Sequence, residues 1–180
     1  LQLCAEYKGT NSDSLRKYAH EGLLLAEKEN NELMLATFYR YAGISSFQQQ
    51  EYDTASLYLD KALELAIKHK DKSEEASAYL ATGYMYTTQG DFKNFIEYLL
   101  KALPLFEALK DNERTIETLV GIGSAYRRSG NSEMAIKYLN QAVDLIGESE
   151  DAFLNALTYF ELGAVEPDVR KVIEYEQKTI

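Results

Sequence analysis

Residues 79–86 read Tyr79-Leu80-Ala81-Thr82-Gly83-Tyr84-Met85-Tyr86, and forty positions later comes Leu119-Val120-Gly121-Ile122-Gly123-Ser124-Ala125-Tyr126. Forty positions earlier the chain reads Tyr39-Arg40-Tyr41-Ala42-Gly43-Ile44-Ser45-Ser46. In each block a large residue precedes a glycine by four positions, and Tyr86 and Tyr126 follow theirs by three; Tyr159 and Gly163 open a fourth copy. Working outward, Ala55-Leu59-Ala62 and Ala135-Leu139-Ala142 share one register with Leu99-Ala102, followed by apolar Leu63, Leu103 and Val143. The same register carried backwards places Gly22 and Leu23 in an earlier unit's Ala-Leu slots. A fixed period of this length means stacked units, none of which buries its apolar face alone.

Spacings of three and four make both blocks helical. The glycines of the first helix and the alanines of the second let the two axes approach closely, and the large residues between them fill the remaining groove. Asp13, Asp53, Asp91 and Asn131 sit at or near the openings of second helices, where a short polar side chain caps free amides. Gly90 and Gly130 suit left-handed C-terminal caps, and Pro167 suits the first turn of a last helix. Pro104, inside a second helix, takes the slot of Glu64 and Asp144, which predicts an outward-facing residue and a mild bend. The spacing predicts helices over about 1–8, 13–29, 32–49, 52–69, 73–89, 92–109, 113–129, 132–147, 151–164 and 168–179.

Tyr79-x-x-Thr82-Gly83-x-x-Tyr86, Leu119-x-x-Ile122-Gly123-x-x-Tyr126, Ala55-x-x-x-Leu59-x-x-Ala62 and Ala135-x-x-x-Leu139-x-x-Ala142 together resemble the tetratricopeptide repeat. The resemblance covers nearly the whole chain. It implies an all-α fold, a right-handed superhelical α-solenoid of antiparallel helix hairpins. One solenoid would occupy residues 1–180, with units at about 1–30 (partial), 31–71, 72–111, 112–150 and an atypical terminal one at 151–180. Two departures from the family pattern stand out: its unit has about 34 residues and ends in proline, whereas this one has forty and lacks the proline. Long units of this kind are similar to those of bacterial signalling proteins and of some eukaryotic scaffolds.

Composition narrows the function classes. A net charge of −10 over 180 residues argues against direct nucleic-acid binding, which draws its affinity from Lys and Arg. One cysteine, Cys4, rules out an internal disulfide. No apolar run approaches the roughly 20 residues needed to span a bilayer. The chain reads as beginning and ending inside helices, as a segment of a longer protein would. A cytoplasmic setting is the expectation, with a periplasmic one open if a signal sequence was removed.

No catalytic constellation emerges. Gly121-Ile122-Gly123 has Tyr126 where a dinucleotide fingerprint needs its third glycine, and it lies mid-helix. His20 and His69 have no His or Cys at ligand spacing, so neither a metal nor a cofactor is expected. Glu148-Ser149-Glu150-Asp151 reads as a solvated helix junction. The expectation is a protein that binds rather than catalyses.

The resemblance also says where. In the family the first helices line a concave groove. Carried over position by position, the inner wall holds Thr37, Arg40, Ile44, Phe47 and Gln48, then Ser77, Leu80, Tyr84, Thr87 and Thr88, then Glu117, Val120, Ser124, Arg127 and Arg128, with Phe160 extending it. Three arginines beside Phe47, Leu80 and Tyr84 suit a protein or peptide ligand with an acidic and an apolar portion. The lysine-asparagine clamp of chaperone-tail binders is absent, since its slots hold Arg40/Ile44, Leu80/Tyr84 and Val120/Ser124. The expected role is the sensory or regulatory part of a larger bacterial signalling or transcription-regulating protein. The alternatives are a repeat region of a peptide-regulated enzyme such as a phosphatase, or a structural assembly factor.

Overall fold

The computed structural model describes residues 12–146 and 151–166, with 168, 171 and 174. The helix expected over 1–8, Cys4, the 148–150 junction, Pro167 and most of the helix expected over 168–179 lie outside the described residues. Eight helices and no strand occur among the described residues: α1 (Ser12–Lys28), α2 (Glu32–Gln48), α3 (Tyr52–His69), α4 (Lys72–Thr87), α5 (Phe92–Leu109), α6 (Asn112–Arg128), α7 (Ser132–Ile146) and α8 (Ala152–Gly163). The expected bounds agree to within two residues. Pro104 is exposed, and α5 continues past it to Leu109.

The turns explain why the helices end where they do. Residues 30, 50, 70, 90, 110 and 130 all have positive φ, between 50° and 82°. Two are glycines, Gly90 and Gly130, as expected; the others are Asn30, Gln50, Lys70 and Lys110. After each, the next backbone N–H reaches back five residues to a carbonyl, as Asn31 to Ala26, Asp71 to Ala66 and Asp111 to Phe106, at 2.9–3.1 Å. This is the Schellman arrangement, which satisfies carbonyls a helix end leaves open. It recurs every twenty residues, so the chain turns in the same way within a hairpin and between hairpins.

The residue that closes one helix also opens the next. The side chains of Asn31, Asp71, Asp91, Asp111, Asn131 and Asp151 each accept from the backbone N–H three residues on, at 2.9–3.1 Å. Sequence reasoning found Asp91 and Asn131 but not the four caps at the openings of first helices. Asp53 sits in the first turn of α3, near its opening as expected, while the cap position itself belongs to Glu51, which makes no side-chain cap. Glu51 instead pairs across the surface with Arg16, at 3.0 Å.

The chain divides into two compact units, Leu1–Met85 and Tyr86–Ile180. In the first, α2 packs against both α1 and α3. Leu15, Ala19, Leu23 and Ala26 of α1 form one core cluster with Phe38, Tyr41 and Ala42 of α2, and Ala55, Leu59 and Met85 form another. In the second unit α6 packs against α5, α7 and α8, and α7 against α8. Leu99, Phe106, Ile116, Leu119, Ile122, Leu139 and Leu162 are essentially sealed from solvent there.

The close approaches lie where the repeat places them. A Cβ on Gly43 would meet Leu59 at 2.7 Å, and one on Gly123 would meet Leu139 at 2.6 Å. Gly22 faces the ring of Phe38 so tightly that no side chain fits between them. Tyrosines seal each hairpin beside these contacts: Tyr86 stacks on Tyr98 at 5.6 Å and Tyr126 on Tyr138 at 5.7 Å. Where Ser46 replaces the first-helix tyrosine, Tyr58 stacks instead on Tyr39, at 5.9 Å.

Two outcomes follow for unfolding by urea. Gly123→Val forces Leu139 out of place and is expected to lower stability by about 1–3 kcal/mol, the usual cost of overpacking. Asp111→Ala removes one cap and is expected to cost about 1 kcal/mol. An unchanged midpoint in either variant contradicts the corresponding contact.

Candidate functional site

The inner-wall positions divide into those the chain uses for itself and those it leaves open. Arg40, Leu80 and Val120, forty residues apart, are all buried, at 6%, 3% and 4% exposure. Leu80 and Val120 are apolar and fill core within their own units. Arg40 is a charge in the same slot, so it needs an internal partner. Glu74 on α4 provides it, accepting from Arg40 Nε at 2.5 Å and Nη2 at 3.2 Å. Thr37 donates its hydroxyl to the same carboxylate at 3.1 Å, and the guanidinium lies over the Tyr41 ring at 4.5 Å. Burial opposes the guanidinium's charge, but the adjoining Glu74 carboxylate outweighs it and holds Arg40 above the usual arginine range.

This carboxylate was absent from the sequence-based picture of the groove. Its signal was faint, a glutamate in the first turn of α4, where an acid serves the helix dipole equally well. Glu74→Gln leaves the Arg40 guanidinium buried without its counter-charge. A stability loss of about 3–5 kcal/mol is expected. The double variant Arg40→Leu/Glu74→Leu should recover most of that loss; equal destabilisation of single and double variants would contradict the pairing.

Ile44 and Phe47 on α2 are half-buried, packed against the two core clusters of the first unit, and Phe47 meets the Tyr52 ring at 6.1 Å. Gln48 is exposed beside them. Tyr84 is half-buried on α4. This face of the first unit offers apolar surface with an amide at its edge, and its arginine is already neutralised by Glu74.

The second unit contributes Thr87, Ser124, Arg127 and Arg128. Thr87 and Ser124 are half-buried. Arg127 pairs with Glu161 of α8, Nε to carboxylate at 2.8 Å, so its charge is spent within the unit as well. Arg128 is exposed, lies 5.9 Å from the centre of the Phe92 ring, and makes no ion pair among the described residues. Of the three arginines expected to meet a ligand, the chain thus keeps two for itself and presents one.

Elsewhere the charges form surface clusters. Glu32 accepts from Lys68 Nζ and His69 Nε2, each at 2.6 Å. Hydrogen bonds from these two hold its carboxyl below the usual range. Among the described residues no three His, Cys, Asp or Glu side chains gather as a metal ion would require, and no helix is long and apolar enough to cross a membrane.

Comparison with known proteins agrees with this architecture. Residues 74–147 match the family model described as tetratricopeptide repeat. Among solved structures, BtubC (BKLC) from P. vanneervenii is similar, with a TM-score of 0.74 and 17% sequence identity, over 97% of this chain and 75% of that one. At that identity the likeness is one of fold, an all-α solenoid. No curated protein matches the sequence. Tetratricopeptide repeats are in general scaffolds for protein interaction. The family match marks residues 74–147 as tetratricopeptide repeat, and the shared fold supports the same helical-hairpin plan over the rest of the described chain.

Proposed function

We propose that this chain is the peptide- or protein-binding module of a larger bacterial signalling or transcription-regulating protein, and that it binds without catalysing. Each unit would take a segment of the partner along the inner faces of its own first helices. Ile44, Phe47, Gln48 and Tyr84 serve one unit; Thr87, Ser124, Arg127 and Arg128 serve the other. Arg40, Leu80 and Val120 support that surface from beneath, since they are buried. The observation that carries the reading is Arg128, an exposed cation outside any ion pair among the described residues of a chain with net charge −10. Held beside the Phe92 ring, it offers a carboxylate both a charge and an adjoining apolar surface. The favoured ligand is therefore a segment with an acidic residue next to an apolar one.

Affinity capture with the full-length protein, followed by calorimetry on the captured partner's segment, tests this. Arg128→Ala is expected to weaken binding about tenfold and to reduce its salt dependence, and Tyr84→Ala to weaken it by a similar factor. Affinity unchanged in both variants would overturn the assignment of the inner face.

A further inference from the structure

The end of α2 meets the start of α1 through Gln49 and Asp13, and two repeats further on the end of α6 meets the start of α5 through Arg128 and Phe92. In the first unit this edge is closed by its own side chains. Asp13 accepts from Gln49 Nε2 at 3.0 Å, Gln49 accepts in turn from Arg16, and Arg16 donates from both terminal nitrogens to Glu51, at 3.0 and 3.1 Å. The second unit replaces every member of that network. Lys93 stands in the slot of Asp13, the buried Ile96 in that of Arg16, Ser129 in that of Gln49 and Asn131 in that of Glu51, while Arg128 takes the slot of Gln48. Ser129 donates to the Tyr126 carbonyl at 2.9 Å and Asn131 caps α7, so neither closes the edge.

Two acids and one cation have thus given way to two cations. Both are exposed, and neither makes an ion pair among the described residues. Two acids lie near Lys93, and both are engaged: Asp91 takes two bonds from Asn94, at 3.1 and 2.6 Å, and Glu97 pairs with Lys101 at 2.9 Å. Glu133, in the first turn of α7, serves the open amides of that helix.

We propose, resting on the reading of Arg128 as a contact for the partner, that this edge of the second unit binds an extended acidic segment through two carboxylates placed two residues apart. Arg128 is rooted on α6 and Lys93 on α5, and packed helices lie about 8–10 Å apart. Side chains two residues apart on an extended chain emerge on the same side, about 7 Å from each other, so one carboxylate reaches each cation. Arginine holds its carboxylate through a planar fork and lysine through a point charge. Glutamate suits the site better than aspartate, because its longer methylene stem lies against the Phe92 ring beside Arg128. In a chain of net charge −10, such a patch draws an acidic partner to one place on the surface.

An amide-resolved NMR titration of the full chain with an acetylated, amidated heptapeptide centred on Glu-Leu-Glu tests this. Saturable shifts are expected at residues 92–94 and 127–131, with a dissociation constant on the order of 1 mM. The matching Gln-Leu-Gln peptide should bind roughly tenfold more weakly or worse. Lys93→Gln and Arg128→Gln should each weaken the Glu-Leu-Glu peptide about threefold. Lys93→Asp/Ser129→Gln, which brings back two members of the closed edge, should remove binding while leaving the helical circular dichroism unchanged. Arg16→Gln, in the first unit, should leave the affinity as it was. No saturable shift at these residues overturns the proposal, and so does an equal response to inorganic phosphate, the mark of a site for any anion. Weakening by Arg128→Gln alone, with Lys93→Gln binding as before, overturns it while the inner-face assignment stands. If both variants bind as before, that assignment falls with it.

Discussion

Each described turn between helices rests on one arrangement, a left-handed residue followed by a residue that both closes the helix behind it and opens the one ahead. The backbone N–H at 31, 51, 71, 91, 111 and 131 completes the helix just ended. At all of these positions but 51, the side chain caps the helix about to start. One residue therefore fixes two helix ends, and the angle at which the chain leaves one and enters the other follows from local hydrogen bonds. Close packing then becomes possible. Gly43 can meet Leu59 and Gly123 can meet Leu139 only if the turn between them returns the chain at the same height each time. The forty-residue identity of side chains is laid over a twenty-residue identity of backbone.

Variation between units is local and compensated. Gly22 stands where Ala62, Ala102 and Ala142 stand in later units, and the ring it accommodates, Phe38, stands where Ala78, Thr118 and Thr158 do. Volume lost on one helix is regained on its neighbour, as close-packed interiors require. Ser46 replaces a tyrosine, and Tyr58 turns to Tyr39 for its stacking partner. Glu51, too long to cap its own helix, spends its carboxylate on Arg16. In each case the common plan survives because a second residue absorbs the change.

These compensations mark what could be read from the sequence. Helix bounds, the glycine contacts and the exposure of Pro104 follow from period and residue type, because each depends on neighbours at fixed offsets. Four of the six caps were not legible, because Asn31, Asp71, Asp111 and Asp151 open first helices, where the repeat pattern of apolar residues gives a polar position no distinct mark. The inner wall was less legible. Position alone assigns Arg40 to an open surface, and arginine is usually found on one. Its burial is made tolerable by Glu74, thirty-four residues away, with Thr37 and the Tyr41 ring around that pair. Arg127 is likewise claimed by Glu161 across the same interval. An ion pair between successive units leaves no mark in the forty-residue pattern, since its two members occupy different slots.

The turns have a consequence for how far this protein could be hardened. Glycine takes the left-handed position at only two of the six turns; at the others Asn30, Gln50, Lys70 and Lys110 hold it against the steric preference of any residue with a Cβ. That strain is borne four times over, on exposed side chains that the core does not need. The chain thus carries a reserve of thermal tolerance it has not drawn on, open to glycine replacements that leave its interior untouched.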